Sequence, residues 1–245
     1  MEIQIAIAKT NKMGSDISGD TLEVVERPMG GYSVVLCDGQ TTGTAAKSLS
    51  SLVVRKVITL IAEGVRDSAA ARAASDHVFS LHSGKNSAYL DILSADLQSN
   101  TLVICRNNPT PLYITRENHL TEAMSGSSES VGYRYGINPI VAEIPIETGL
   151  TVVMSTDGFL EAGTKFEQPI DIPVLMSALL DYQQPTAQEI ADALLIHAIN
   201  ADHDQPQDDM SVVVLRVLPE ATDNVRRLTV NLPITLTTDS THPEY

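Results

Sequence analysis

The 245 residues carry 31 Asp and Glu against 16 Lys and Arg, and a net charge of -15 repels the phosphates of nucleic acids and anionic membranes as partners. With 43% hydrophobic residues the chain is long enough to bury one sizeable core, so one domain is the expectation. No apolar run reaches membrane-spanning length and the opening MEIQIAIAK lacks a leader pattern, so the expected location is cytoplasmic.

Taken in chain order, apolar alternation or β-branched runs predict strands over Glu2 to Ala8, Thr21 to Arg27 and Tyr32 to Cys37. Met29-Gly30-Gly31 turns the second into the third. A helix follows in which Ala45, Leu49, Leu52, Val53, Val57, Leu60 and Ile61 share a face, with Gly64 as its stop. A second helix is predicted from Asp67 to about Leu81. Further strands are predicted over Ala88 to Ala95, Thr101 to Arg106, Leu112 to Thr115, Val141 to Ile146 and Leu150 to Ser155. Cys37 and Cys105 sit inside such runs, as buried reduced thiols do. A helix over Ile172 to Leu180 comes next, and Thr186-Ala-Gln-Glu189 forms a capping box that opens another through about Asn200. The ninth strand runs from Ser211 to Val217. Residues 219–245 form an extension in which Val225 to Ile234 is a tenth strand candidate, followed by a polar, disordered end.

Two helix pairs interrupting strands joined by short turns give an α+β class, with an αββα sandwich of two mostly antiparallel sheets as the arrangement that satisfies the order.

The chemistry lies at the strand ends. Asp20 opens the second strand, Asp38-Gly39 closes the third, Asp157-Gly158 closes the eighth, and Asp208-Asp209 precedes the ninth. Singly, each Asp-Gly is an ordinary turn dipeptide. Together, on one edge, such carboxylates repel one another strongly unless hard cations such as Mg²⁺ or Mn²⁺ bind among them. The six histidines have no two-His zinc spacing, and Asp202-x-Asp204-x-x-x-Asp208 fails the calcium-loop template for want of its glycine and glutamate.

The set SGD, CDGQTTGTAA leading into a helix, STDGFLEAG and DDMSVVVL, in this order over residues 1–218, resembles the metal-dependent protein phosphatase (PPM, protein phosphatase 2C-like) family, and within it the bacterial SpoIIE/RsbU/RsbX branch. The resemblance implies a phosphatase domain over 1–218 and a serine/threonine protein phosphatase that uses two divalent cations, Mn²⁺ or Mg²⁺. It makes Asp38 the carboxylate that bridges both ions, with Asp20 and the Gly39 carbonyl on one ion and Asp157 and Asp208 on the other. Asp209 becomes an indirect or water-mediated partner. A water shared by the ions then attacks phosphorus in line, without a covalent enzyme intermediate. Lys47 and Lys165 are the candidate phosphate contacts, although most lysines are solvated surface residues. The implied substrate is a phosphorylated regulatory protein of the STAS-domain or stressosome kind, in partner-switching signalling.

One motif departs from the family. Where relatives commonly have Asp-Gly-x-Gly-His-Gly, this chain has Asp38-Gly39-Gln40-Thr41-Thr42-Gly43. The metal positions survive the change, while the loop before the helix differs. That leaves a catalytically weak phosphatase-like protein-binding module as the alternative reading.

Overall fold

The computed structural model describes residues 1–117, 120–126, 128–181, 184–220 and 223–233. Ten strands divide into two five-stranded sheets, and every pairing between them is antiparallel. One sheet is built from β2 (Asp20–Glu26), β3 (Gly31–Gly39), β4 (Ala88–Asp96), β5 (Thr101–Asn107) and β8 (Ile140–Pro145), side by side in that order. The other runs β1 (Glu2–Thr10), β10 (Met210–Leu218), β9 (Thr151–Ser155), β6 (Leu112–Thr115) and β7 (Thr121–Met124).

Three apolar clusters define the four layers. Helices α1 (Gly43–Ala62) and α2 (Asp67–His82) bury Leu49, Val53, Val57, Ala70 and Ala74 against Val35, Cys37, Leu90 and Ile92 on the outer face of the first sheet. Helices α4 (Ile172–Leu180) and α5 (Ala187–Ala201) bury Met176, Ile190 and Leu194 against Ala6, Val153, Val212 and Val214 of the second. Between the sheets lie Val34, Leu36, Leu93, Val152, Met154, Val213 and Leu215. The alternation of odd and even positions along each strand follows from the two-residue period of a pleated strand with both faces covered. The expected αββα sandwich is therefore the observed one.

Most strands extend one or two residues past an expected limit, β2, β8 and β9 each stop one residue short at one end, and the helices match closely. The capping box is formed as read: Thr186 Oγ1 accepts from the Glu189 backbone N–H at 3.2 Å, and Glu189 Oε2 accepts from the Thr186 N–H at 2.7 Å. Three elements were not foreseen among the described residues: the four-residue β7, a single helical turn, α3 (Asp157–Leu160), and a 3-10 turn over Thr164–Phe166. In the other direction, residues 225–233 carry no strand: Val225, Leu228, Val230 and Leu232 alternate but stand exposed, with no sheet face to bury them. Ile234 and the polar end lie outside the described residues.

The interlayer core contains one ion pair. Asp91 on β4 and Arg106 on β5 are cross-strand partners, 1% and 2% exposed at the side chain, joined by Nε to Oδ1 at 2.8 Å and Nη2 to Oδ2 at 3.3 Å. Asn108 Nδ2 adds a donor to Asp91 Oδ2 at 2.8 Å, while Arg106 also donates to the carbonyls of Met124 and Thr110. Every charge here has a geometric partner, as burial requires.

Candidate metal centre

Asp20 and Asp38 face each other in the β2–β3 register, on the side of the sheet that looks into the sandwich. Leu22 and Leu36, then Val24 and Val34, continue the same rows inward, so the two carboxylates sit where the apolar interlayer opens to solvent. The second sheet contributes from across the gap. Thr156 and Ser211, following β9 and opening β10, extend the inward rows of Met154 and Val213 and reach the Asp20 carboxylate, with Oγ to Oδ2 distances of 3.2 and 2.6 Å. Asp20 is thus 1% exposed and held by two hydroxyls from the opposite layer.

Asp157 lies in the first turn of α3, and its Oδ1 accepts from the Gly158 N–H at 2.8 Å. Asp38 and Asp157 also interact directly, in the sense that raises Asp38 and lowers Asp157. Burial, then the negative charges of Asp20, Asp157 and Asp208, push the Asp38 carboxyl up to about 8. Burial is likewise the first cause that lifts Asp20 to about 6, against the lowering effect of Ser211 and Lys9. Asp157 is raised by burial and by the charge of Asp208. The structure therefore brings Asp20, Asp38, Asp157 and Asp208 into one electrostatic neighbourhood drawn from both sheets.

Asp209 occupies a different place. Its Oδ1 accepts from the Lys12 N–H at 2.9 Å and its Oδ2 from the Gly19 N–H at 2.7 Å, so it clasps the β1–β2 connection to the start of β10. Glycines let the layers close. A Cβ at Gly39 would strike the Ala46 carbonyl of α1, and one at Gly158 would strike the Asp209 carbonyl. The Gly39 carbonyl accepts from the Thr41 N–H at 2.7 Å, which leaves its second lone pair.

Neither candidate lysine stands free. Lys47 Nζ donates to the Asp20 carbonyl at 2.8 Å and to Thr21 Oγ1 at 2.9 Å, which anchors α1 to β2. Lys165 Nζ donates to Gln207 Oε1 at 2.8 Å, beside Asp208. Three residues escaped the reading of the sequence. Thr156 and Ser211 lie inside the STDG and DDMS motifs, so adjacency was the available signal. Tyr89 pairs with Asp38 across β3–β4 and has its hydroxyl raised by burial and by Asp157 and Asp38; nothing in AYLDIL marks it. Lys9 Nζ is a further neighbour, 3.1 Å from the Asp20 carbonyl.

Among the described residues, no three carboxylate, imidazole or thiolate side chains already converge on one point that a metal ion would take. The donor set still fits a hard dication. Carboxylates that are lifted by one another's charge regain their ordinary acidity when a cation joins them.

The sequence signature of Stage II sporulation protein E (SpoIIE) matches residues 28–218. This chain belongs to the SpoIIE family. SpoIIE domains are PPM-type serine/threonine phosphatases, a family of metal-dependent hydrolases. Stage II sporulation protein E of Bacillus subtilis (strain 168) is 23% identical over 88% of this chain, and its counterpart in Priestia megaterium is 22% identical over the same share. This chain spans 26% and 36% of the length of those two proteins. Among solved structures, the PP2C phosphatase domain of SpoIIE from Bacillus subtilis, with a fragment of its regulatory domain, superposes with a TM-score of 0.75 at 22% identity, covering 89% of this chain and 64% of that one. RsbX in complex with magnesium gives 0.68 at 16% identity over 87% of this chain and 94% of RsbX. The catalytic domain of PstP in complex with two manganese ions gives 0.69 at 15% identity over 88% and 98%. These likenesses show a shared SpoIIE-type PP2C fold, and no helix among the described residues is long and apolar enough to cross a membrane.

Proposed function

We propose that this chain is a metal-dependent serine/threonine protein phosphatase that hydrolyses phosphoserine or phosphothreonine on a regulatory partner protein, of the kind that operates partner-switching or stressosome signalling. The observation that carries the reading is the four-aspartate neighbourhood assembled from two sheets, with Asp20 and Asp38 lifted to about 6 and about 8. Residues 1–218 form the phosphatase unit and 219–245 an extension to it.

In this reading Asp38 would be shared by two Mn²⁺ or Mg²⁺ ions, Asp20 and the Gly39 carbonyl would help to hold one, and Asp157 and Asp208 the other. When bound, the ions supply positive charge against the phosphoryl oxygens and acidify the attacking water. The protein's own part is positioning. Ser211 and Thr156 fix the Asp20 carboxylate, and the α3 backbone at Gly158 fixes Asp157. Gln40 Nε2 holds Asp38 Oδ2 at 2.6 Å, so the unusual loop contributes a donor directly to the proposed bridging carboxylate.

Turnover of a phosphoserine peptide is expected to require added Mn²⁺ or Mg²⁺ and to stop in EDTA. Full turnover in chelator sinks the metal mechanism, and absence of turnover with either ion, while a phosphoprotein is still bound, points to the protein-binding alternative. A second expectation concerns Ser211→Ala, which strips Asp20 of its shorter hydroxyl bond. Removing a group that orients a metal-ligating carboxylate typically weakens metal affinity about tenfold or more. Calorimetric titration with Mn²⁺ that finds equal affinity in variant and parent removes Ser211 from this role.

A further inference from the structure

The far pole of the second sheet holds a charge with which no acid among the described residues forms an ion pair. Arg216 lies near the end of β10, on the face covered by the helices, between Gln4 of β1 and Thr151 of β9. It is 6% exposed. Its Nη1 donates to Thr151 Oγ1 at 2.9 Å, while its Nε is buried and meets no acceptor among the described residues. None of the ion pairs among those residues includes it, in a protein with 31 acids. Burial alone lowers its pKa, with no carboxylate opposing the shift.

The same arginine lines a cavity of about 100 Å³, together with Thr148, Gly149, Leu180, Gln184 and Val217, and with Glu117, an exposed residue that forms no ion pair with it. At roughly 30 Å³ for each water molecule, the space holds about three waters or one compact anion. Seven strand residues separate Arg216 from Asp209, about 24 Å at the usual rise, so the cavity is remote from the aspartates.

We propose that Arg216 anchors a binding site for a small oxyanion, a carboxylate or phosphate group, in the cavity that it lines with Leu180 and Gln184. The guanidinium supplies charge and in-plane donors, the geometry that selects such oxygens. Thr148 and Gln184 add neutral donors at the wall, and the apolar side chain of Leu180 helps to keep the interaction in a low dielectric, where one charge pair is strong. The site is independent of the proposed phosphatase chemistry, since it shares no residue with the metal centre.

The test is thermal unfolding of the metal-free full chain at fixed ionic strength, with sodium phosphate, sodium sulfate or sodium acetate titrated against sodium chloride. A saturable rise in Tm is expected for at least one of the three, of about 5–10 °C at a hundredfold excess over Kd. Phosphate or sulfate alone identifies a tetrahedral ligand, and acetate identifies a carboxylate. The rise persists in Asp38→Asn, which separates it from anion binding at the metal centre, and disappears in Arg216→Gln. If Arg216→Gln does not fold, Gln184→Glu takes its place: the added carboxylate supplies the counter-charge from the wall, raising Tm in chloride and removing the response. Equal responses in parent and Arg216→Gln, or an unchanged response in Gln184→Glu, overturn the proposal, as does the absence of a saturable rise with all three anions.

Discussion

Asp38→Asn is expected to reduce metal-dependent turnover by at least about a thousandfold, roughly 4 kcal/mol in the barrier, while making the metal-free protein more stable at neutral pH. Both effects come from one carboxyl. Asp38 is pushed up to about 8 by burial and by Asp20, Asp157 and Asp208, whereas in the unfolded chain an aspartate titrates near ~3.9. Between those values the native state keeps a proton that the unfolded state has released. The associated stability is therefore complete below about pH 4 and is lost progressively as pH rises through about 8. Asparagine is neutral at every pH and has no such loss, so the advantage of the variant in metal-free buffer is expected to grow across that window. Added Mn²⁺ reverses the order, because the wild-type carboxylate gains an ion and the amide cannot bridge two. Metal binding must also displace the proton, so Mn²⁺ affinity tightens with pH in the parent. Melting temperatures at pH 5, 7 and 8.5, with and without Mn²⁺, together with phosphopeptide turnover, read all of this. Near-normal turnover and an unchanged Mn²⁺ shift in Asp38→Asn mean that another residue bridges. Asp209→Asn is the comparison: it loosens the clasp on Lys12 and Gly19 but leaves the bridging charge, and its turnover is expected to fall far less.

Asp91→Leu carries the largest expected cost to stability. It leaves the Arg106 guanidinium, 2% exposed, facing an apolar side chain with only the Met124 and Thr110 carbonyls as acceptors. Breaking a buried pair from one side costs about 3–5 kcal/mol, equivalent to roughly 6–20 °C in Tm for a chain of this size. Replacing both partners, Asp91→Leu with Arg106→Met, removes the stranded charge and is expected to recover most of the loss. Urea unfolding of the single and double variants measures the difference, and a double variant as weak as Asp91→Leu alone shows that the cost lies in packing rather than charge.

How far the sequence reveals such features depends on whether the signal is local. Helices and long strands are legible because α1 repeats its apolar residues at helical spacing and β10 carries an unbroken apolar run from Val212 to Leu215. β7 is not, since Thr-Glu-Ala-Met has four residues, no β-branched run and half of its residues exposed. The opposite error arises at 225–233, where alternation is present but no covering layer exists to exploit it. The aspartates were legible as an ordered set of strand-end motifs, while the raising of one another's pKa was not, because it depends on two sheets meeting. The Asp91–Arg106 pair is hidden for the same reason: a 15-residue separation becomes contact only once the β4–β5 register is fixed. Lys47 reads in sequence as a surface lysine near a motif, and only the fold shows it tied to the backbone of β2.

Because Asp20 and Asp38 hang from one sheet and Asp157 and Asp208 from the other, the width of the jaw between them is a mechanical clearance. Its gauge is the interior layer of Leu36, Met154, Val213 and Leu215, which holds the sheets about 10 Å apart. Thicker or thinner side chains there act as shims. A substitution wholly out of sight of solvent, such as Val213→Leu or Leu36→Ala, is thereby expected to alter the span available to the ions proposed at the rim, so that the preference between a smaller and a larger divalent ion would become a property that the hydrophobic interior can tune.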